Sequence, residues 1–170
     1  GYAAVDSSKT LTIPAGTQIH LHKNALLYVY KSSLHVEGTL GNEVVFKGDR
    51  LEQMYQDVEG QYYGIYFHEA MESTIDYAII KNGNTGIQVD TTGTNNYALT
   101  LTNTKIDNMA GVGLWGQGAH IYGSNNLITN CGEGCAYFSI GGKYVMDNCT
   151  FANYWTGSTR TAPTVALNNY

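Results

Sequence analysis

The chain is poor in the features that most often announce a function. Only 14% of its 170 residues are charged, the formal net charge is −5, and no run of Lys or Arg occurs. A nucleic-acid footprint needs clustered basic side chains, so nucleic acid is not an expected partner, and an anionic membrane surface is disfavoured for the same reason. No apolar stretch approaches the length of a transmembrane span. No charged-then-apolar signal segment opens the chain, and Gly1 reads as a processed or an engineered start. Cysteine is scarce: Cys131 and Cys135 lie across a Gly-Glu-Gly turn, and Cys149 falls one repeat later. A disulfide framework uses more, evenly counted cysteines, so small buried thiols are expected instead. With 2 Pro against 20 Gly, glycine serves turns rather than a disordered linker. Helical periodicity is missing over any ten residues, and so is a fixed leucine frame, which excludes helical and leucine-rich solenoids.

What is present is a beat. Asn82, Asn108, Asn130 and Asn153 are separated by 26, 22 and 23 residues. Each closes one short phrase, an apolar residue, a variable one, then Asn, as in Ile80-Lys81-Asn82 and Ile128-Thr129-Asn130. A second column, Asn103, Asn125 and Asn148, precedes the closing Asn by five residues, with Tyr77 in that place in the first copy. Short alternating stretches follow the turns: Ile65-Tyr66-Phe67, Ile87-Gln88-Val89, Leu114-Trp115 and Ala136-Tyr137-Phe138. Alternation of this kind marks half-buried strands. The first sixty residues repeat more loosely, with Leu11 and Leu34 again 23 apart and Leu27-Tyr28-Val29-Tyr30 matching the later strands.

A period in the low twenties means stacked coils. The expectation is an all-β fold, a single-stranded right-handed parallel β-helix of roughly six to seven coils, forming one domain over residues 1–170. Each coil is expected to hold two strands, a variable loop and an Asn/Gly turn. At about 4.8 Å per coil the rod stands on the order of 30 Å tall. Turn asparagines suit the left-handed backbone region, and stacked amides can bond to one another up the column. All seven Asn are therefore read as structural ladder residues. Three segments break the period: residues 48–62, 90–97 and 155–163. Insertions in solenoids emerge on one face, often the binding face. Tyr170 falls a few residues into a strand, so an end capped by further chain, or one packed on a second copy, is expected.

The phrases Leu11-Thr12-Ile13-Pro14-Ala15-Gly16-Thr17, Val36-Glu37-Gly38-Thr39, Tyr63-Gly64-Ile65-Tyr66-Phe67 and Asn82-Gly83-Asn84-Thr85-Gly86-Ile87 resemble secreted right-handed parallel β-helix proteins of Bacteroidetes. That resemblance implies an exported, lipoprotein-type chain on a pectate-lyase-like fold, at the cell surface, outside the cell or in the periplasm. It implies no catalytic residues. The polygalacturonase set Asn-Thr-Asp, Asp-Asp, His-Gly and Arg-Ile-Lys does not occur here. Pectate lyases use acidic calcium clusters and an arginine base. This chain offers only Arg50 and Arg160, both in or near irregular segments. Fold alone does not assign chemistry.

The residues themselves point to a surface. If Ile65 and Phe67 face inward, Tyr66 faces out, and the same register turns Gln88, Trp115 and Tyr137 outward, with Tyr28 below them. Exposed aromatics stack on sugar rings, so these four are the candidate ligand-binding residues and a polysaccharide or glycan the candidate partner. The plain alternative is that aromatics simply suit pleated surfaces. His68 and Asp90 lie two residues further along neighbouring strands and form a candidate acid–base pair, or a surface hydrogen bond. Glu69 and Glu133 are carboxylates with no spacing that selects them as a glycosidase pair. His20 and His22 share a strand face, with His35 a coil later, but zinc needs a clear third ligand. Asp76, Asp107 and Asp147 form a loose column that does not converge as calcium demands. No metal and no cofactor is expected. The readings carried forward are a non-catalytic glycan binder, a lyase or hydrolase on the same face, and an adhesive rod that self-associates through an exposed end.

Overall fold

The computed structural model describes residues 1–170 apart from Trp155, Ser158, Arg160 and Tyr170. Arg160 and Trp155, which fall in the third period-breaking segment, therefore lie outside the described residues, as does Tyr170. The chain winds as a right-handed parallel β-helix with three sheets. The first sheet has seven strands: Tyr2–Val5, Leu26–Tyr30, Gly64–Ala70, Ile87–Thr92, Val112–Gln117, Gly134–Ser139 and Val165–Leu167. The second runs from Thr10–Pro14 to Lys143–Asp147, and the third from Gln18–Leu21 to Thr150–Ala152, with six strands each. Strands follow one another around the three sheets in strict rotation, which makes six full coils and the opening strand of a seventh. Each coil thus holds three strands where two were expected. The missed strand is short, four or five residues in Thr10–Pro14, Leu99–Thr102 and His120–Ser124, and follows sheet one after only a brief corner.

Alternation drives the coil shut. Leu27, Ile65, Ile87, Leu114 and Ala136 are paired neighbours, and all are buried. So are Val29, Phe67 and Val89, one inward position further on. Gly116 continues that column without a side chain. A Cβ there would lie 2.6 Å from the Tyr144 ring and 3.1 Å from Phe138, whose rings stack at 4.3 Å. Glycine is the residue that lets the two aromatics meet.

Corners need left-handed residues, and here the asparagines act. Asn82, Asn108 and Asn130 have φ of 67°, 59° and 53°, and Asn103, Asn125 and Asn148 have 50°, 55° and 50°. Tyr77 holds the same conformation at 46°, as its place in the second column suggests. Asn153 is not among the left-handed residues; its amide instead donates to the Cys131 carbonyl at 2.6 Å. The amide ladder is also shorter than expected. Asn108 donates to Asn82 at 2.9 Å and Asn125 to Asn103 at 2.7 Å. Beyond those rungs carboxylates take over: Asn103 donates to Asp76 at 2.7 Å and Asn130 to Asp107 at 3.1 Å. A carboxylate accepts more strongly than an amide oxygen, so the stack ends on the nearest acid.

One asparagine has no place in either column. Asn126 is 3% exposed and points inward. Its Oδ1 accepts from the Thr104 amide at 3.0 Å, and its Nδ2 donates to the Leu101 carbonyl at 2.7 Å. Thr104 repeats the device one coil away, accepting from the Ala78 amide at 3.2 Å. Burial of these groups is tolerable because each is bonded. Cys131 and Cys135 are buried, as expected. Hydrogen bonding between the two thiols, followed by burial, pushes the Cys131 thiol well up. The segment from Gly48 is narrower than its sequence bounds: Gly48 ends a strand, and Tyr62 is wholly buried. Residues 49–61 form the actual excursion, with a single turn of 3-10 helix at Gln53–Tyr55.

Candidate functional site

The outer face of the seven-stranded sheet carries two vertical columns. In the first, Tyr28 neighbours Tyr66, Tyr66 neighbours Gln88, Gln88 neighbours Trp115, and Trp115 neighbours Tyr137. In the second, Tyr30, His68, Asp90, Gln117 and Ser139 follow one another. The inward residues between them are buried, so strand alternation turns both columns outward. All of these outward side chains are half-buried by their neighbours above and below.

The lower part of this face is a nest of rings. Tyr28 and Tyr66 have centroids 5.3 Å apart, Tyr28 and Tyr30 stack at 5.9 Å, and Tyr30 stacks on His68 at 5.6 Å. The His68 Nδ1 lies 2.5 Å from Asp90 Oδ1, and the Tyr66 hydroxyl donates to Asp90 Oδ2. Both oxygens of the carboxylate are engaged. Burial first, then the bond to Asp90, pushes the Tyr66 phenol well up, so it remains a donor throughout the neutral range. Tyr28 is raised by burial and then by the charge of Asp90. A hollow of ≈ 310 Å³ opens beside the nest, lined by Tyr2, Leu26, Tyr28 and Tyr66. Lys31 closes the edge, 3.0 Å from Glu69 and 5.0 Å from the Tyr30 ring centroid.

Above Gln88 the character changes. The Gln88 amide donates to Gln117 at 3.1 Å, tying the two columns together. Trp115 lines a second hollow of ≈ 280 Å³ with Tyr63, Asn84 and Glu133. Tyr63 is 48% exposed, and the Tyr137 hydroxyl reaches the Glu133 carbonyl at 3.2 Å. Sequence reasoning passed over Tyr63 and Asn84. Both sit where the third-sheet corner feeds the next strand, a place that only the three-sheet winding brings up against Trp115.

The structure brings His68 and Asp90 together but separates the other candidates. Glu69 lies near the end of its strand and Glu133 just precedes another, so they stand at opposite ends of the strands, three rungs apart. His22 Nδ1 is 2.6 Å from Asp49, while His35 lies on the second sheet, 2.9 Å from Thr74. Asp76 and Asp147 belong to the second sheet, with Thr102 and Ser124 between them, and Asp107 belongs to the third. Among the described residues no three His, Cys, Asp or Glu side chains gather in a way that could hold a metal ion. Among the same residues no helix is long and apolar enough to cross a membrane.

Residues 63–168 match the family model described as the right handed beta helix region. No curated protein and no solved structure matches the chain.

Proposed function

The chain belongs to the right-handed β-helix family, and from that premise we propose that it binds carbohydrate, without catalysis, along the aromatic face of its seven-stranded sheet. The observation that carries this reading is the unbroken register Tyr28, Tyr66, Gln88, Trp115, Tyr137. Two aromatic stations stand on it, separated by an amide. Flat rings offer apolar faces to the C–H side of a sugar, and the neighbouring column supplies polar groups for its hydroxyls. Tyr66 and Trp115 are two rungs apart, about 9.6 Å at the usual strand spacing, comparable with a disaccharide.

Non-catalytic binding fits the state of the acid–base pair on this face. Asp90 is occupied by Tyr66 and His68, which leaves only the Nε2 of His68 to meet a substrate proton. A hydrolase would need a second carboxyl group at a set distance, and Glu69 and Glu133 stand three rungs apart at opposite strand ends. Export to the cell surface or beyond belongs to the same proposal and is supported by the resemblance to exported β-helix proteins.

Retention on a panel of immobilised polysaccharides tests the reading. Trp115→Ala should weaken binding about tenfold or more, as loss of a central aromatic anchor does. Unchanged retention sinks the proposal. Release of reducing ends or unsaturated products by the wild-type protein would replace it with an enzymatic one.

A further inference from the structure

The chain holds nine Lys and Arg, and four of them line a single hollow of ≈ 470 Å³ on the opposite side of the coil. It lies between the third sheet and the excursion 49–61. Lys47, Lys81 and Lys105 rise from the sheet, and Arg50 from the excursion.

The excursion is a fixed wall. Asn82 donates to the Gln56 carbonyl at 2.8 Å and Asn108 to the Asp57 carbonyl at 3.0 Å. The Gln61 side chain donates to the Tyr55 and Val58 carbonyls at 2.6 and 2.7 Å. The closing asparagines thus hold the hollow open as well as turning the corner.

Its charges do not balance. Arg50 is spoken for by Glu52 at 3.0 Å and lies over the Tyr55 ring at 3.9 Å. Lys105 is 3.0 Å from Asp107, whose other oxygen accepts from Thr129 and Asn130. Asp49 lines a different hollow, with its carboxylate against His22. Neither Lys47 nor Lys81 makes a salt bridge among the described residues, although Lys81 has Asp107 as its neighbour on the next rung. Phe46 neighbours Ile80, so the residues that follow, Lys47 and Lys81, stand on adjacent rungs about 4.8 Å apart. Like charges in directly opposed positions are destabilising, and both side chains are half-buried, where solvent screens less. Four cations against Asp107 and Glu52 leave two positive charges uncompensated. Between them the floor is apolar: Val45 and Ile79 are neighbours on the sheet, with Tyr55 facing them.

We propose that this hollow binds a phosphate monoester, its phosphate between Lys47 and Lys81 and its organic body on Val45, Ile79 and Tyr55. The charge selects the group. A phosphate monoester carries about −1.5 to −2 near neutral pH, matching the two uncompensated ammoniums. A carboxylate or a sulfate ester brings one negative charge, and inorganic phosphate leaves the apolar floor uncovered. Lysine serves phosphate as a point charge, without the planar fit that arginine needs.

Phenyl phosphate titrated into isotope-labelled protein, followed by NMR, tests the assignment. Saturable shifts are expected at Lys47, Ile79 and Lys81, with phenyl sulfate and inorganic phosphate each at least tenfold weaker. The double variant K47Q/K81Q should lose at least tenfold in affinity. It should fold and melt within a few degrees of wild type without ligand, since neither lysine makes a salt bridge among the described residues. Trp115→Ala should bind phenyl phosphate unchanged, which keeps this site separate from the glycan face. Glucose 6-phosphate and AMP then distinguish a phosphorylated sugar from a nucleotide as the natural source. Absence of saturation at millimolar ligand, equal affinity for phenyl sulfate or inorganic phosphate, or an undiminished response in K47Q/K81Q would each overturn the assignment.

Discussion

Replacing Asn126 with alanine should damage this protein more than replacing Asn125, its neighbour in a visible column. Its side chain is 3% exposed and satisfies two main-chain groups of the preceding coil, the Thr104 amide at 3.0 Å and the Leu101 carbonyl at 2.7 Å. Alanine leaves both without partners in a space that excludes water. Each unsatisfied buried group costs about 1–3 kcal/mol, so the pair costs about 2–5 kcal/mol after partial relaxation. For a chain of this size the melting temperature should fall by about 4–20 °C. Asn125→Ala is the matched control one residue away. That side chain is exposed and occupies the left-handed region at φ 55°, so its loss costs about 1 kcal/mol from backbone preference. Coils contact only their neighbours, so the opening is expected to be local. Native-state hydrogen exchange should therefore show the Thr104 amide losing protection in Asn126→Ala ahead of Ile65 and Ile87. A melting temperature within a degree of the Asn125→Ala control, or an unchanged Thr104 amide, would refute the account of these inward bonds.

Three further outcomes are expected. Burial alone would raise Asp107, but the Thr129 hydroxyl, the Lys105 ammonium and the Asn130 amide together hold it below the ordinary carboxylate value. Its ionised form therefore stabilises the fold above the unfolded-state value near 3.9, and that contribution disappears as pH falls through the lower native value. Chemical denaturation between pH 5 and 2 should be less steep in pH for Asp107→Asn than for wild type. Gly38→Ala should destabilise by about 2 kcal/mol or more, since its Cβ would lie 2.0 Å from the Tyr77 carbonyl oxygen and a coil backbone cannot yield as a side chain can. A loss below 1 kcal/mol in a urea titration would contradict the packing. Alkylation of native protein should label Cys149 first, because Cys131 and Cys135 are buried and the Cys131 thiolate is strongly disfavoured. Peptide mapping that finds Cys131 modified as early as Cys149 would contradict that order.

The coil period and the outward register were legible because both rest on local chemistry. Asparagine tolerates positive φ, so two of the three corners carry a visible residue type. Alternation fixes which side of a strand faces out, so Tyr66, Gln88, Trp115 and Tyr137 could be aligned without coordinates. The remaining corner carries no such label. It is made by Lys31, Glu69, Thr91, Gly118 and Ile140, all at positive φ between 46° and 62°. Those residue types have no common preference for that region, and the β-branched Thr91 and Ile140 resist it. The conformation is imposed by the coils above and below. With that corner unmarked, two strands merge into one in the sequence, which is why the third sheet was not foreseen. Asn126 and the hollow of Lys47 and Lys81 were hidden for a related reason. Each depends on contacts between coils 22 to 34 residues apart, and Lys47 and Lys81 are separated by the irregular segment that interrupts the beat.

A stack of this kind is a ruler as well as a scaffold. Every outward column repeats at the hydrogen-bonding pitch of about 4.8 Å, and no side-chain substitution can alter that interval. A polymer whose own repeat is commensurate with the pitch can meet rung after rung in phase, while one that is out of step drifts off within a few units. Gln88, lodged between Tyr66 and Trp115, doubles the effective graduation on the aromatic side. Selectivity on such a surface would be a matter of vernier matching, set by the backbone, with the side chains deciding only which marks are read.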